Sequence, residues 1–294
     1  MITINLDPTF TPYQYQLAGN CPTDIFNFST GFEPHIKLLT NLTDTDVLIV
    51  SRFKNGNDLM LIALANDAAK RAGAASVSLF IPFLPFARQD MVMVEGEPMS
   101  IGVFADIINI QNFKRVILFD PHSAVSPALI HNAYIINNHE FVGNILAGKG
   151  SYRLASPDAG AYKKIFRLAA SLGKRMGGQN EIVICDKVRD LATGKIMNTT
   201  VNVTDLEGQD VYIIDDIIDG GRTFIAIAEE LQKRNAGNLY LVVSHYIGSQ
   251  GEDELKKYFK KIYTTNSVKD IKSDFVIQTD MADLVKYSIK KMYI

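Results

Sequence analysis

The sequence has no tryptophan and only two cysteines, Cys21 and Cys185. Two thiols so far apart in the chain make neither a disulfide framework nor a zinc site, so a reducing compartment, the cytoplasm, is expected. No uninterrupted apolar run reaches about 18 residues, and Met1-Ile2-Thr3-Ile4-Asn5-Leu6-Asp7 has no basic stretch ahead of an apolar one. A membrane span and a secretory leader are therefore not expected. An excess of one charge is also missing. With 30 Lys plus Arg against 32 Asp plus Glu, and no basic run, the electrostatic footprint of nucleic-acid binding is absent and a small-molecule partner fits better. No internal repeat or low-complexity tract appears.

What remains is ordinary globular material: 47% apolar and 21% charged residues place the chain away from the disordered and membrane classes. Its 294 residues are enough for two domains, each with its own core. Short apolar runs rich in β-branched residues alternate with longer segments of helical period, the pattern of an α/β chain with mainly parallel sheets flanked by helices. Strands are predicted at Asp46 to Val50, Ser76 to Ile81, Val116 to Phe119, Tyr152 to Ala155, Glu181 to Cys185, Val211 to Ile214 and Leu239 to Ser244. Several are apolar at consecutive positions, as strands covered on both faces are.

A helix from Asp58 to Gly73 would turn Leu59, Ile62, Ala63 and Asn66 inward, with Gly73 as its stop. A second, Thr223 to Asn235, carries the stripe Phe224, Ile227, Ala228 and Leu231. Glycine and small polar residues at Ala147-Gly148-Lys149-Gly150-Ser151 mark the boundary, giving domains 1–147 and 148–294. The last segment, Phe275 to Ile294, reads as a short strand and a closing helix that could return to the first domain.

Val211-Tyr212-Ile213-Ile214-Asp215-Asp216-Ile217-Ile218-Asp219-Gly220-Gly221-Arg222-Thr223 is the most informative segment: a buried strand, then acids, two glycines and a helix. A glycine turn at a helix N-terminus offers free N–H groups to a phosphate and lets backbone approach its oxygens closely. Thr223 can add a hydroxyl. Adjacent carboxylates at a strand's end repel phosphate but accept hydrogen bonds from sugar hydroxyls or hold Mg²⁺ through water. Ribose joined to phosphate meets both demands; the plainer reading is an acidic turn with Thr223 capping a surface helix.

Other residues carry paired readings. Arg88 suits polyphosphate oxygens or stacking on a base, or a surface ion pair. His122, close to Asp120 after a predicted strand, can take a metal or a metal's water, or be structural. Asp158 before small residues also reads as an N-cap, and His245 and Cys185 as structural. Lys187 and Arg189 follow a strand in a segment that stays polar through Asp190, Thr193, Gly194 and Lys195. That is either a solvated loop or a closing lid that meets negative charge on a bridging oxygen.

Together these segments resemble, in the right order along essentially the whole chain, the ribose-phosphate pyrophosphokinase family. The acidic glycine loop resembles the phosphoribosyl-diphosphate loop of the type I phosphoribosyltransferase fold, and the resemblance implies two domains of that fold. Pro82-Phe83-Leu84-Pro85-Phe86-Ala87-Arg88-Gln89-Asp90 looks like the family's ATP-contacting segment, Asp120-Pro121-His122-Ser123 its magnesium element, and Ser156-Pro157-Asp158-Ala159-Gly160 its Ser-Pro-Asp turn. Asp186-Lys187-Val188-Arg189 resembles the start of its catalytic loop, Val243-Ser244-His245-Tyr246 its Thr-His-Gly strand end, and Ser51 to Ala74 its first long helix.

The resemblance implies Mg²⁺-dependent transfer of the diphosphate of ATP to a ribosyl 1-hydroxyl, in a homo-oligomer. Lys187 and Arg189 would be catalytic. Phe28, Arg88, Gln89, Asp90 and His122 would bind ATP, and Asp120, His122 and Asp158 the metal. Asp158, Asp215, Asp216, Asp219, Gly220, Gly221, Arg222 and Thr223 would bind the ribose phosphate.

The sequence departs from the family at informative places. Phe28-Ser29-Thr30-Gly31-Phe32 stands where the family has Phe-Ser-Asp-Gly-Glu supporting adenine from a neighbouring subunit, and Met91-Val92 replaces a basic pair after Gln89-Asp90. Asp219-Gly220-Gly221-Arg222-Thr223 stands where the family has Asp-Thr followed by small residues and Thr, which removes a hydroxyl and inserts the Arg222 guanidinium. One more cation would serve an acceptor whose phosphate belongs to a diphosphate, as in ADP-ribose, beside the family's ribose 5-phosphate. Two rivals are a phosphoribosyltransferase using the same loop and a non-catalytic nucleotide-binding homologue. The co-occurrence of Arg88-Gln89-Asp90, Asp120-Pro121-His122 and Lys187-Val188-Arg189 disfavours the first, and retention of Lys187, Arg189 and Asp215-Asp216 the second.

Overall fold

The computed structural model describes residues 1–10, 19–28, 33–176, 182–189 and 196–292. The chain forms two compact units. One comprises Met1–Asn137, Ser267–Asp270 and Asp280–Ile294, the other Asn138–Asn266 and Ile271–Thr279.

The first unit contains β1 (Ile2–Asn5), β2 (Gly19–Asn20), the antiparallel hairpin β3 (Thr23–Asn27) and β4 (Pro34–Leu38), then β5 (Asp46–Val50), β6 (Ser76–Ile81), β7 (Val116–Phe119) and β8 (Ala133–Ile136). Six of these make one parallel sheet in the order β2-β1-β5-β6-β7-β8. The consecutive apolar residues of β5, β6 and β7 are buried on both faces, which is why each reads as a run instead of an alternation. Helices α1 (Gly56–Arg71), α2 (Ser100–Asn109) and the short α3 (Val125–Leu129) connect them. Ile62, Ala65 and Ala69 of α1 and Phe104 of α2 pack with Val47, Ile49, Leu79 and Leu118 in one core.

Asn55 caps α1 by accepting from Asn57 N at 2.9 Å, while the Asp58 carboxylate accepts from Asn55 N at 2.8 Å, a reciprocal capping box. Gly73 ends the helical segment at φ +84. The buried face of α1 is Leu61, Ile62, Ala65, Asn66 and Ala69, so the expected stripe is corrected: Leu59 and Ala63 are only partly covered. The helix starts two residues earlier than expected and lies on a sheet, where packing rather than period decides which face turns inward. Asn66 is tolerated inside because its Nδ2 donates to Gln111 O at 2.9 Å.

The second unit holds α4 (His139–Leu146), β9 (Tyr152–Ser156), α5 (Ala159–Met176), β10 (Ile182–Arg189), β11 (Ile196–Val201), β12 (Asp210–Ile218), α6 (Arg222–Gln232), β13 (Leu239–Tyr246), the short α7 (Asp253–Lys256), β14 (Lys261–Thr265) and β15 (Val276–Thr279). The sheet order is β11-β10-β9-β12-β13-β14-β15, parallel throughout except for the β10–β11 pair. Phe224, Ile227, Ala228 and Leu231 of α6 are the helix's buried face, the stripe expected from the sequence. The closing helix α8 (Met281–Lys291) groups with the first unit, and α4 with the second, so the division of contacts falls at Asn137 and Asn138.

A buried ion cluster ties distant parts of the first unit together. Arg52, 2% exposed, donates from Nε to Asp7 Oδ2 at 2.7 Å, from one terminal nitrogen to Asp270 Oδ1 at 3.1 Å, and from the other to Thr9 Oγ1 at 2.8 Å. Its guanidinium also lies 4.4 Å from the centre of the Phe10 ring. Lys54 adds a contact to Asp7 Oδ1 at 2.8 Å. Burial raises the Asp7 pKa, but the hydrogen bonds from Lys54, Thr9 and Arg52 outweigh it and hold the carboxyl at about 2.

Two outcomes follow for stability. Arg52→Met leaves a buried carboxylate with too few partners and should cost about 3–5 kcal/mol in urea denaturation. Because the folded pKa of Asp7 lies below its ordinary value of 3.8, its contribution is complete above that pH and is lost as pH falls toward about 2. Asp7→Asn should flatten stability against pH in that window by roughly 2 kcal/mol. An unchanged pH profile in Asp7→Asn would contradict this account.

Candidate functional site

In the second unit, β9, β12 and β13 run parallel, so the segments after each strand emerge at the same sheet edge. After β9 comes Ser156-Pro157-Asp158. Ser156 Oγ donates to Asp158 O at 2.8 Å, and the Asp158 carboxylate accepts from Ala161 N at 2.9 Å, which makes Asp158 the N-cap of α5. That is the plainer of its two readings.

Asp215 and Asp216 lie on β12 itself. The sequence placed the end of this strand at Ile214; the ladder with β13 instead continues to Ile218, because Asp215 pairs with Val243 and Ile217 with His245. The acids are therefore held on a sheet strand, and Asp216 is buried. Asp215 Oδ1 accepts from Asp216 N at 2.9 Å. The Asp215 pKa is raised well above the carboxylate range, first by burial, then by the charge of Asp216, with a smaller push from Asp158. Asp158, Asp215 and Asp216 thus form one electrostatic group in which Asp215 feels both of the others.

Asp219 and Gly220 are half-buried. Gly221 follows in the left-handed region at φ +78, where a Cβ would come within 2.9 Å of Leu255 Cδ2. Glycine is the residue that takes this conformation without strain, and it serves as the N-cap of α6 with no side-chain cap of its own, at the helix end whose N–H groups suit an anion. Arg222, the first helical residue, is exposed and has no hydrogen-bond or ion-pair partner among the described residues. Thr223 is half-buried beside it. His245 is fully buried in β13, and the Cys185 thiol is pushed up to about 12 by burial, which leaves it unreactive at neutral pH.

Lys187 and Arg189 were read as lying in a loop past a strand ending at Cys185. The strand in fact runs on: β10 leaves β9 after Ile184 pairs with Ser156, and Cys185 to Arg189 pair antiparallel with β11 alone. Their backbone is part of a two-stranded ribbon beyond the end of β9, because antiparallel pairing satisfies the groups that a loop would leave to water. The side chains of both, and Asp190, Thr193, Gly194 and Lys195, lie outside the described residues.

The other predicted residues belong to the first unit, at the carboxyl ends of the neighbouring strands β6 and β7. After β6, Phe86 takes φ +60, a strained value for a bulky residue, held by ring contacts of 6.0 Å to Phe53 and 5.9 Å to Phe104. Gln89 N donates to Phe86 O at 2.9 Å, closing the turn that carries the exposed Arg88 and Gln89 and the half-buried Asp90. Met91, Val92, Met93 and Val94 continue it as four exposed apolar residues. After β7, Asp120 is buried with φ +42, its N–H donating to Ile136 O at 2.9 Å, and His122 is exposed.

Phe28 is half exposed at the end of the β3–β4 hairpin, in a cluster with Phe26 at 5.4 Å and His35 at 5.3 Å. Ser29, Thr30, Gly31 and Phe32 lie outside the described residues. Among the described residues no three His, Cys, Asp or Glu side chains converge as a metal-holding group; Asp120 and His122 sit in one unit and Asp158 in the other. No helix among them is long and apolar enough to cross a membrane. Sequence reasoning missed Ser249 and Gln250, which stand beside the glycine turn. The only signal for them was that they follow β13, the strand next to β12.

Two family models match the chain: the N-terminal domain of ribose phosphate pyrophosphokinase over residues 18–111, and the phosphoribosyl transferase domain over residues 129–282. Among curated relatives, the chain is similar to a ribose-phosphate pyrophosphokinase of Helicobacter hepaticus, 29% identical over 84% of this chain and 79% of that protein. It is also similar to those of Mycoplasma genitalium, 28% identical over 88% and 79%, and Pyrococcus abyssi, 27% identical over 83% and 84%. Its fold is like that of a phosphoribosylpyrophosphate synthetase from Mycobacterium smegmatis, with a TM-score of 0.82 at 19% identity, covering 100% of this chain and 98% of the other. With two phosphoribosyltransferase-like α/β units and both family models spanning its length in order, the chain belongs to the ribose-phosphate pyrophosphokinase family of transferases.

Proposed function

We propose that the protein transfers the β,γ-diphosphate of ATP to the 1-hydroxyl of ribose 5-phosphate, giving phosphoribosyl diphosphate and AMP. The observation that carries this reading is the second unit's pairing of an acid group, Asp158 with Asp215 and Asp216, with a left-handed glycine turn at the start of α6. Sugar hydroxyls suit the first and a phosphate the second.

The acceptor's 1-hydroxyl oxygen bonds to the β-phosphorus and gives up its proton to solvent, while the bond from that phosphorus to the α,β-bridging oxygen breaks and AMP leaves with the bond pair. Such displacement depends on alignment and charge stabilisation more than on covalent help from the protein. Gly220, Gly221, Arg222 and Thr223 grip the 5-phosphate, with Asp219 at the edge of the turn. Asp158, Asp215 and Asp216 accept from the ribose hydroxyls. Arg88, Gln89 and Asp90 hold the nucleotide, with Phe28 available to stack on its base, in a neighbouring copy if the protein is a homo-oligomer. Lys187 and Arg189 meet the charge that develops on the bridging oxygen.

Mg²⁺ is the expected cofactor. Asp120 and Asp158 offer the hard carboxylate oxygens that suit it. Mg²⁺ on a nucleotide needs only one or two carboxylates, with phosphates and water completing its shell, so Asp120 with His122, or Asp158, suffices. When bound, the ion neutralises polyphosphate charge. The cytoplasm, where ATP is available, is the expected compartment.

One observation favours a second acceptor. Arg222 is exposed and without a described partner at the phosphate turn, where a monophosphate already has the helix N–H groups and Thr223. A diphosphate ester such as ADP-ribose has more oxygens to neutralise, and the same chemistry on it would give ADP-ribose 1-diphosphate.

Purified protein with ATP and Mg²⁺ should release AMP when given ribose 5-phosphate. No release with any ribose phosphate would refute the proposal. Lys187→Ala and Arg189→Ala should each lower kcat by roughly 10²–10³ with little change in nucleotide affinity, as for groups acting on the transition state. Asp216→Asn should raise the acceptor KM more than the ATP KM; equal changes would give this acid a shared or structural role. Arg222→Ala should cost ADP-ribose about one to two decades in kcat/KM relative to ribose 5-phosphate, read as AMP release with each acceptor. A wild type silent with ADP-ribose removes the second acceptor.

A further inference from the structure

We propose that Ser249 and Gln250, on the loop after β13, form a second wall of the phosphate turn, and that the Gln250 carboxamide donates to acceptor phosphate oxygens. The inference rests on the reading of Gly220 to Thr223 as the acceptor's phosphate site and adds a specificity-determining residue to it.

Three features place this loop. Ile218 O, at the end of β12, accepts from Ile247 N at 2.9 Å and from Gly248 N at 3.5 Å, so the two strand-end loops are bound together where the acidic glycine turn begins. Gly248 has φ +63, and a Cβ on it would stand 2.1 Å from the buried Tyr246 ring, so only glycine lets the chain fold back at this point. The reversal brings the next two residues against the turn. A Cβ built on Gly220 would meet Gln250 Cγ at 3.4 Å and Ser249 Oγ at 4.0 Å.

Both side chains are exposed, and neither has a hydrogen-bond partner among the described residues. Gln250 is long enough to reach beyond Gly220, and its amide offers two N–H donors without adding charge. It complements Arg222: the guanidinium supplies charge at the first helical residue, and the carboxamide supplies direction from the neighbouring loop. Ser249 stands in the same wall with a short hydroxyl. The sheet's parallel order makes this geometry possible, since β12 and β13 deliver their loops to one edge.

The test is ribose 5-phosphate affinity, measured as acceptor KM and by calorimetric titration, for wild type, Gln250→Ala, Gln250→Glu and Arg222→Ala. Loss of one neutral donor predicts a rise of roughly three- to tenfold for Gln250→Ala, with ATP KM and Tm unchanged. A carboxylate facing the phosphate predicts a larger rise for Gln250→Glu, about tenfold or more. If Arg222→Ala weakens the acceptor while both Gln250 variants stay within about twofold of wild type, the proposed wall is wrong. If none of the three variants affects the acceptor, the phosphate site itself is misplaced and the inference falls with it.

Discussion

Parallel strands deliver all their carboxyl ends to one edge of a sheet, and the candidate site of this protein is a consequence of that constraint. In the second unit β9, β12 and β13 lie side by side, so Asp158, the pair Asp215 and Asp216, the Gly220–Gly221 turn and the Ser249–Gln250 loop come together although some 90 residues of chain separate the first from the last. In the first unit the neighbours β6 and β7 end at one edge, with Arg88 to Asp90 in the segment after the first and Asp120 with His122 after the second. Each loop follows its own strand and helix unit, and loops can vary while the hydrogen-bonded ladder keeps their roots in place.

Buried charge is handled in two opposite ways. Around Arg52 every partner is supplied by the protein: Asp7, Asp270, Thr9 and the Phe10 ring surround the guanidinium, and the Asp7 carboxyl is held down at about 2. Around Asp215 the charges are alike, and the pKa moves up. The first arrangement stabilises the fold, joining the segments after β1 and β5 to one more than 200 positions later. The second sets like charges against one another in a buried place, and strongly perturbed carboxyls of this kind gather at functional sites. Two of the residues with positive φ, Phe86 in the loop after β6 and Asp120 directly after β7, lie beside candidate nucleotide-binding residues.

Much of this was legible in the linear chain. Strands buried on both faces announce themselves as apolar runs, so Asp46–Val50, Ser76–Ile81 and Val116–Phe119 coincide with their predicted limits. The face of α6 was readable because Phe224, Ile227, Ala228 and Leu231 leave no competing stripe. Elements without such a signal were missed. The hairpin β3–β4 buries only Ile36 fully, too little to make an apolar run, and β11 is recognisable only as the partner that continues β10 past Cys185. On α1 several small apolar residues compete, and the sheet beneath selected Leu61, Ala65 and Ala69 over Leu59 and Ala63.

By itself the sequence determined the α/β class, the positions of the glycine turn and the acidic pair, and the family, because these depend on local chemistry: runs of apolar residues, glycine before a helix, adjacent acids interrupting an apolar run. Tertiary structure alone decided what those residues experience. Nothing in the order of residues says that Asp158 raises the pKa of Asp215, that Arg52 closes on Asp7 and Asp270, or that Gln250 stands over Gly220. Those relations depend on strand order and register, which long-range hydrogen bonding and core packing select, and electrostatics and contact act through space, whatever the separation along the chain.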